Sequence, residues 1–367
     1  MAHFCEHATF KGTARRNALQ IINRLENVGG DLNAFTTKEM TVYHAAILHE
    51  HVARAVDLLT DIVFSSTYPQ AEIEKEVEVI CDEIESYNDS PAELIYDEFE
   101  NIVFCGHPLG HSILGSAERL RTYSGNDIAR FARRHYRPSQ AVFFAYGDIS
   151  FSRLVTMLRK ATAGTPAGAA ATEQLPAGSP MPEYRPQESV ISRGTHQAHV
   201  MLGTRAYGAH DDGRVALSLL NNILGGPGMS ARLSLSLRER HGLVYSVESS
   251  FTAYSDTGLW SIYFGCDPHD IRRCLRLVRH ELDRVMQRPL TAGRLAVAKK
   301  QMKGQIAIAC DQRENFALGF AKAYLLHGRQ SCLDRQFELI DAVTAEQLQD
   351  TAIRLFAPDR LTTLIIN

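Results

Sequence analysis

Five of the thirteen prolines fall in one stretch of the chain, Thr162 to Pro186, which reads TAGTPAGAAATEQLPAGSPMPEYRP. Proline fixes φ and removes a backbone donor, so no helical or strand period survives there. The stretch reads as an exposed connection. It divides the 367 residues into a first half, 1–161, a linker, 162–186, and a second half, 187–367. Either half is long enough for a core of its own, since domains usually run to about 100–200 residues. Hydrophobic residues make up 45% and charged residues 22%, which excludes a disordered chain. Lys plus Arg is 39 and Asp plus Glu is 42, a net charge of −3 that argues against nucleic-acid binding through a general basic surface. No run of apolar residues approaches the roughly 18 needed to span a membrane.

Both halves show helices and strands in the same order. Ala18, Ile21, Ile22 and Leu25 follow the i, i+3, i+4, i+7 rule of an amphipathic helix, and Gly29-Gly30 ends it. Leu32–Thr37 and Met40–Ile47 read as strands. Val52, Ala55, Val56, Leu59 and Ile62 mark a second helix. Pro69 opens a third, with Ile73, Val77, Ile80 and Ile84 on its apolar side. In the second half a helix over Val215–Leu224 precedes strands at Val244–Tyr254 and Gly258–Cys266, then helices over Ile271–Val285 and Ala292–Ile308. The block after Pro69 resembles the block after Pro289, with Glu76 opposite Ala298 and Glu83 opposite Gln305. That pattern fits a duplication in which the first copy alone kept its acidic groups.

The chemistry-bearing string is His3-Phe4-Cys5-Glu6-His7, an HxxEH pattern. On a helix His3 and His7 lie one turn apart on one face, so both imidazoles can reach one metal ion, and Glu6 lies beside them to take a proton from water. A catalytic zinc needs a third protein ligand. The acidic helix after Pro69 offers several carboxylates, among which Glu76 and Glu83 project from one face two turns apart, beside the apolar stripe. Without the HxxEH string, such a helix reads as a solvated acidic face. His107 and His111 share the i, i+4 spacing, but Pro108 and Gly110 argue against a helix there. His49 and His51 flank a helix start, where solvation is the simpler reading. Cys5 reads as a small core residue rather than a nucleophile. Seven cysteines without a CxxC pair point to a reducing compartment and not to a disulfide framework.

HFCEH followed by Phe10-Lys11-Gly12-Thr13 resembles the pitrilysin/insulinase family of zinc peptidases, in particular its small processing-peptidase-like branch. Further strings carry the resemblance across the whole chain. They include Gly29–Thr36, Glu39–Tyr43, His107–Gly110, His135–Pro138, Gly225–Leu233 and Leu237–Tyr245. It implies an α+β protein of two homologous α/β sandwich domains, each a mostly antiparallel sheet with helices packed on it, facing each other across a cleft. The first would hold Zn²⁺ through His3, His7 and Glu83, with Glu6 as general base and Glu76 orienting a ligand. The second would hold no metal and would supply Arg238 and Tyr245 to the developing oxyanion. Read without the family, that pair is a surface arginine and a half-buried strand tyrosine. Asn33-Ala34-Phe35-Thr36 occupies the position of the family's substrate-binding edge strand, although an ordinary hairpin strand would look the same.

The reaction implied is hydrolysis of peptide bonds in extended peptides or unfolded segments. The alternative is a non-catalytic member that acts as a scaffold or substrate-recognition subunit. Such members usually lose part of the HxxEH string, which is intact here. The resemblance also raises the expectation of a homodimer. The N-terminus has neither a basic region nor an apolar stretch, so a cytoplasmic location is expected. Family members place a strand or two, some forty residues in all, before the HxxEH helix, whereas here the motif begins at residue three. The resemblance thus implies an incomplete start, and a version extended upstream is expected to be more stable and more active.

Overall fold

A computed structural model describes residues 1–165, 181–328 and 332–367. Most of the sequence-inferred connection, 166–180, lies outside the described residues. The chain runs through α1 (Ala2–Thr9), α2 (Ala18–Glu26), β1 (Asp31–Thr36), β2 (Thr41–Ala46), α3 (Val52–Ser65), α4 (Gln70–Asn88), α5 (Pro91–Val103), α6 (Ala117–Leu120), α7 (Gly125–His135) and α8 (Phe151–Ala161). After these come β3 (Glu188–Ile191), β4 (Ala198–Ala206), α9 (Arg214–Gly225), β5 (Val244–Ala253), β6 (Gly258–Cys266), α10 (Ile271–Gln287), α11 (Ala292–Cys310), α12 (Arg313–His327), α13 (Leu333–Ala342), α14 (Ala345–Phe356) and β7 (Thr362–Ile366). No helix among the described residues is long and apolar enough to cross a membrane.

The architecture is α+β and divides into two compact units. Unit 1 comprises Met1–Asn88, His111–Ala177 and Arg313–Leu325, and unit 2 comprises Asp89–Gly110, Gly178–Gln312 and Leu326–Asn367. A single cut at the proline-rich connection differs from this division in two places. Residues 89–110 go with the second unit because the apolar stripe of α5 finds its cover there: Leu94, Ile95, Phe99 and Val103 pack with Met201, Leu364 and Ile366 of the sheet. Residues 313–325 go with the first. The two sheets also differ in size.

In unit 1, β1 and β2 form a two-stranded antiparallel sheet in which Asn33 lies opposite His44, Phe35 opposite Val42 and Thr36 opposite Thr41. One face of this hairpin, through Leu32, Tyr43 and Ala45, rests on Ile21, Leu25, Leu58 and Ile62 of α2 and α3. The start of α2 is fixed by a reciprocal capping box between Asn17 and Gln20, and Gly29 beyond its end takes φ +71, a conformation glycine adopts without strain. A second cluster anchors α1: Phe4, Cys5 and Ala8 are buried against Ile73, Val77 and Ile80 of α4 and against Ile128 and Ala132 of α7. Phe4 is only 1% exposed, and truncating a fully buried phenylalanine typically costs ~3–5 kcal/mol. This packing sets the angle of α1 against α4, the two helices that carry the metal-ligating candidates.

In unit 2, five strands form one sheet in the order β3-β7-β4-β6-β5. β3 pairs with β7 in parallel and the other neighbours are antiparallel. Helical residues cover both faces. Val200 and Leu202 of β4 point into the cluster built with α9, α10 and α14, while Met201 points into the α5 cluster. β4 is buried from Ala198 to Thr204 for that reason and shows no polar alternation.

Candidate metal and catalytic site

Helix α1 directs its two histidines to one side. The rings of His3 and His7 are 4.6 Å apart between centroids and inclined at 61°. Glu83, in the C-terminal third of α4, reaches both: its Oε1 is 3.7 Å from His3 Nε2 and its Oε2 is 3.6 Å from His7 Nε2. The donor atoms of His3, His7 and Glu83 all lie within 4.8 Å of one another. A tetrahedral zinc with bonds of ~2.0–2.2 Å sets its ligand atoms roughly 3.3–3.6 Å apart. Two imidazoles and a carboxylate at these separations fit such an ion. Glu83 Oε2 is also buried without a hydrogen-bond partner among the described residues, which is costly for a carboxylate oxygen unless a cation faces it.

Glu76 sits one step outside this set. Its Oε2 is 3.8 Å from the other nitrogen of His7, Nδ1, and only 2.7 Å from the ammonium of Lys11. A carboxylate on the rear nitrogen of a metal-ligating histidine orients the ring and raises its basicity. Glu76 is 5% exposed. Burial pushes its carboxyl up, but His7 and Lys11 outweigh burial and hold it below the usual carboxylate range. His7 is balanced in the same way: burial lowers it, and the carboxylates of Glu76 and Glu83 more than reverse the effect. His3 faces Glu83 Oε1 at 3.7 Å, but burial dominates its balance. Burial, and then repulsion from His7, lower its pKa to about 4, so the ring is neutral and able to ligate at neutral pH.

Glu6 is buried beside the two histidines, and Thr36 Oγ1 donates a hydrogen bond to its Oε2. Thr36 in turn lies 3.1 Å from Thr41 Oγ1 across the hairpin. Burial raises the Glu6 carboxyl above its ordinary value against the lowering effect of Thr36 and His7. A carboxylate poised upward in this way is a stronger base near neutral pH. Cys5, on the opposite side of α1, is fully buried, points its thiol at Tyr68 Oη 3.8 Å away, and is pushed up to about 11 by burial, which makes it inert.

The site therefore brings together His3, His7, Glu83, Glu6 and Glu76, five residues singled out from the sequence. Thr36, expected only as part of a substrate strand, also holds Glu6. Lys11, just beyond the end of α1, joins the cluster through Glu76, and no sequence period marks it. Asn33, Ala34, Phe35 and Thr36 all lie on β1, which among the described residues pairs with β2 alone and leaves its other edge open. Arg238 and Tyr245 belong to unit 2. Arg238 lies in a π-helical turn, Ser234–Glu239, with its Nε 2.8 Å from Glu239 Oε1. Tyr245 stands at a register shift of β5 between Val244 and Val247 and is 90% exposed, as a bulged residue can be. His107 is buried 3.4 Å from Asp256, and among the described residues no second three-donor cluster includes it.

Comparison with known proteins places both halves. Residues 1–117 match the family model described as insulinase (peptidase family M16), and residues 122–302 match the model of the peptidase M16 inactive domain. An uncharacterized zinc protease of Bacillus subtilis, YmxG, is 32% identical over 365 residues, covering 100% of this chain and 88% of that protein. An uncharacterized zinc protease of Streptomyces coelicolor is 33% identical over 353 residues, covering 95% of this chain and 77% of that protein. The crystal structure of a protease from Helicobacter pylori superimposes with a TM-score of 0.93 at 21% identity, over 100% of this chain and 88% of that one. That of a peptidase M16 inactive domain from Pseudomonas fluorescens gives 0.86 at 22% identity, over 100% and 87%.

Proposed function

Because the chain belongs to the insulinase family of peptidases, family M16, we propose that it is a zinc-dependent endopeptidase acting on extended peptides or unfolded segments. The observation that carries this reading is the convergence of three metal donors with a buried, hydrogen-bonded carboxylate next to them.

His3, His7 and Glu83 would hold the ion, and Glu76 would fix the ring of His7 from behind. Zinc bound there supplies Lewis acidity to the attacking water and to the peptide carbonyl. Glu6 takes the proton of that water and later returns it to the departing amine. Thr36 occupies Glu6 Oε2, so Oε1, which takes no hydrogen bond among the described residues, is the oxygen left for the water. The open edge of β1 suits a peptide in extended conformation, which would add as a further strand through main-chain hydrogen bonds. The family resemblance assigns stabilisation of the oxyanion to Arg238 and Tyr245, and the exposure of Tyr245 leaves its hydroxyl accessible for that work.

A non-catalytic scaffold of the same family is the second reading. The match of 122–302 to a model named for an inactive domain bears on it. That match covers the half without the metal donors, whereas the ligand set and the base lie within 1–117. Glu6→Gln separates the two readings. The substitution keeps the shape and removes the proton acceptor, so it should abolish cleavage of an unstructured peptide while zinc content stays at one per chain. Equal cleavage by parent and variant, or none by the zinc-loaded parent on a broad peptide mixture, would sink the enzymatic reading.

A further inference from the structure

The two faces of β1 carry different chemistry. Side chains alternate along a strand, so Thr36 faces Glu6 while Phe35 and Asn33 face the opposite way, together with His44 across the hairpin. That second face carries side chains of α12. Lys322 Nζ lies 4.5 Å from the centroid of the Phe35 ring, and Glu314 Oε1 lies 3.3 Å from His44 Nδ1. Two aromatic contacts within the same unit fix the helix in this place: Phe320 stacks on Phe144 at 5.0 Å, and Phe316 lies 5.1 Å from Tyr146.

The charges on this face are not equivalent. Glu314 has His44 as a partner. The ammonium of Lys322 has the Phe35 ring, and among the described residues it has no carboxylate within ion-pair distance. The two sit eight residues apart on one helix, about 12 Å at 1.5 Å per residue, so the face has a cationic and an anionic end. The cationic end belongs to Phe35, the neighbour in sequence of the threonine that holds Glu6.

We propose that Lys322 is a specificity-determining residue that selects an aspartate or glutamate side chain on an extended peptide added to the open edge of β1. The proposal rests on the peptidase reading above. An added strand lies about 4.7–4.9 Å from its neighbour, and its side chains alternate between the faces of the sheet. One set points to the side of Glu6, Glu76 and Glu83, where a further carboxylate meets like charge. The other set points to the side of Phe35, where it meets an unpaired ammonium on a flexible stem. An acidic residue is thus favoured at one substrate position near the scissile bond and opposed at the positions flanking it.

The test uses the zinc-loaded full chain and internally quenched peptides that differ only by Glu or Gln at one position, scanned through the cleavage site. At one position kcat/KM for the Glu peptide should exceed that for the Gln peptide by about fivefold, the factor a partly exposed ion pair supplies. Lys322→Gln should bring that ratio to about one, and Lys322→Glu should invert it. A ratio near one at every position in the parent protein, or a ratio that survives Lys322→Gln, overturns the proposal. Binding of the same peptides to zinc-loaded Glu6→Gln protein, followed by fluorescence anisotropy, reads the subsite without turnover. Cleavage without a Glu preference sinks the subsite alone. A Lys322-dependent Glu preference in binding, with no cleavage by the parent, supports the subsite and sinks the peptidase reading.

Discussion

Glu83 and Glu76 are both glutamates on α4, seven residues apart, and the geometry gives them opposite signatures when each is changed to glutamine. Glu83 faces Nε2 of both histidines at 3.6–3.7 Å and has a buried oxygen with no hydrogen-bond partner. Zinc sites with four protein ligands gain ~10–16 kcal/mol, about 2.5–4 kcal/mol per ligand, so Glu83→Gln should weaken zinc binding by about 10²–10³-fold. Without metal, the Glu83 carboxylate accepts no hydrogen bond at its buried Oε2 and faces the histidines only at 3.6–3.7 Å, so its neutralisation should leave the melting temperature of the metal-free protein little changed. Glu76 touches the rear nitrogen of His7 and pairs with Lys11 at 2.7 Å. Outer partners of this kind typically contribute 10–100-fold to metal affinity, so Glu76→Gln should lose less zinc than Glu83→Gln. It should also destabilise the metal-free protein by about 1 kcal/mol, because the ion-paired hydrogen bond to Lys11 gives way to a weaker one from the same ammonium to a neutral amide. For a unit of this size that is a fall of about 2–4 °C in Tm. Zinc competition against a chelating dye, with calorimetry on the chelator-treated protein, measures both quantities. The reasoning fails if Glu83→Gln binds zinc within a few-fold of the parent, or if Glu76→Gln loses the more zinc and keeps its melting temperature.

Three further outcomes are expected. Thr36→Val removes the donor that fixes Glu6, so turnover should fall by about 10-fold or more at unchanged zinc content, and an unaltered kcat would detach Thr36 from the base. Tyr245→Phe should leave the melting temperature untouched, because the ring is 90% exposed, while turnover drops by the ~10²–10³ of a lost oxyanion donor; equal rates in parent and variant would remove Tyr245 from the chemistry. His199 lies 2.9 Å from Tyr263 Oη, and burial holds it below the ordinary histidine value. The unfolded chain therefore takes up this proton first, and the stability tied to the neutral ring is lost as pH falls below about 6.5. Melting of His199→Gln should drop less than that of the parent on acidification to about pH 5, and parallel curves would refute this.

The His3–His7 pair was legible from residue types and spacing because a helix converts i, i+4 into proximity, and both lie on one short helix; Glu83 was singled out among the acidic residues of α4 only through the family resemblance. The hairpin was legible too, since Leu32–Thr37 and Met40–Ile47 alternate and carry β-branched and aromatic residues, and the strands formed within a residue or two of those limits. β4 was not anticipated because helical residues cover both its faces and its sequence, AHVMLGTRA, shows no period of two. The bond from Thr36 to Glu6 joins residues 30 positions apart and leaves no local trace. The place of α12 is hidden for the same reason. Lys322 and Phe35 look unrelated until the helix is held by Phe144 and Tyr146, in a stretch with no regular structure of its own.

The interleaving of the chain between the two units has a consequence for synthesis. Unit 1 needs Met1–Asn88, then a segment that resumes at His111, then Arg313–Leu325. Domains on a ribosome usually complete from the N-terminus, as each one emerges. Here the hairpin emerges early, and the helix whose lysine and glutamate meet it arrives more than two hundred residues later. At roughly 5–20 residues per second, the nascent unit waits tens of seconds for its last piece, with the Phe35 face uncovered. A two-stranded sheet with an open edge is a ready template for pairing with other chains during that wait. A fragment ended at the proline-rich connection would keep the metal donors and remain in the waiting state permanently.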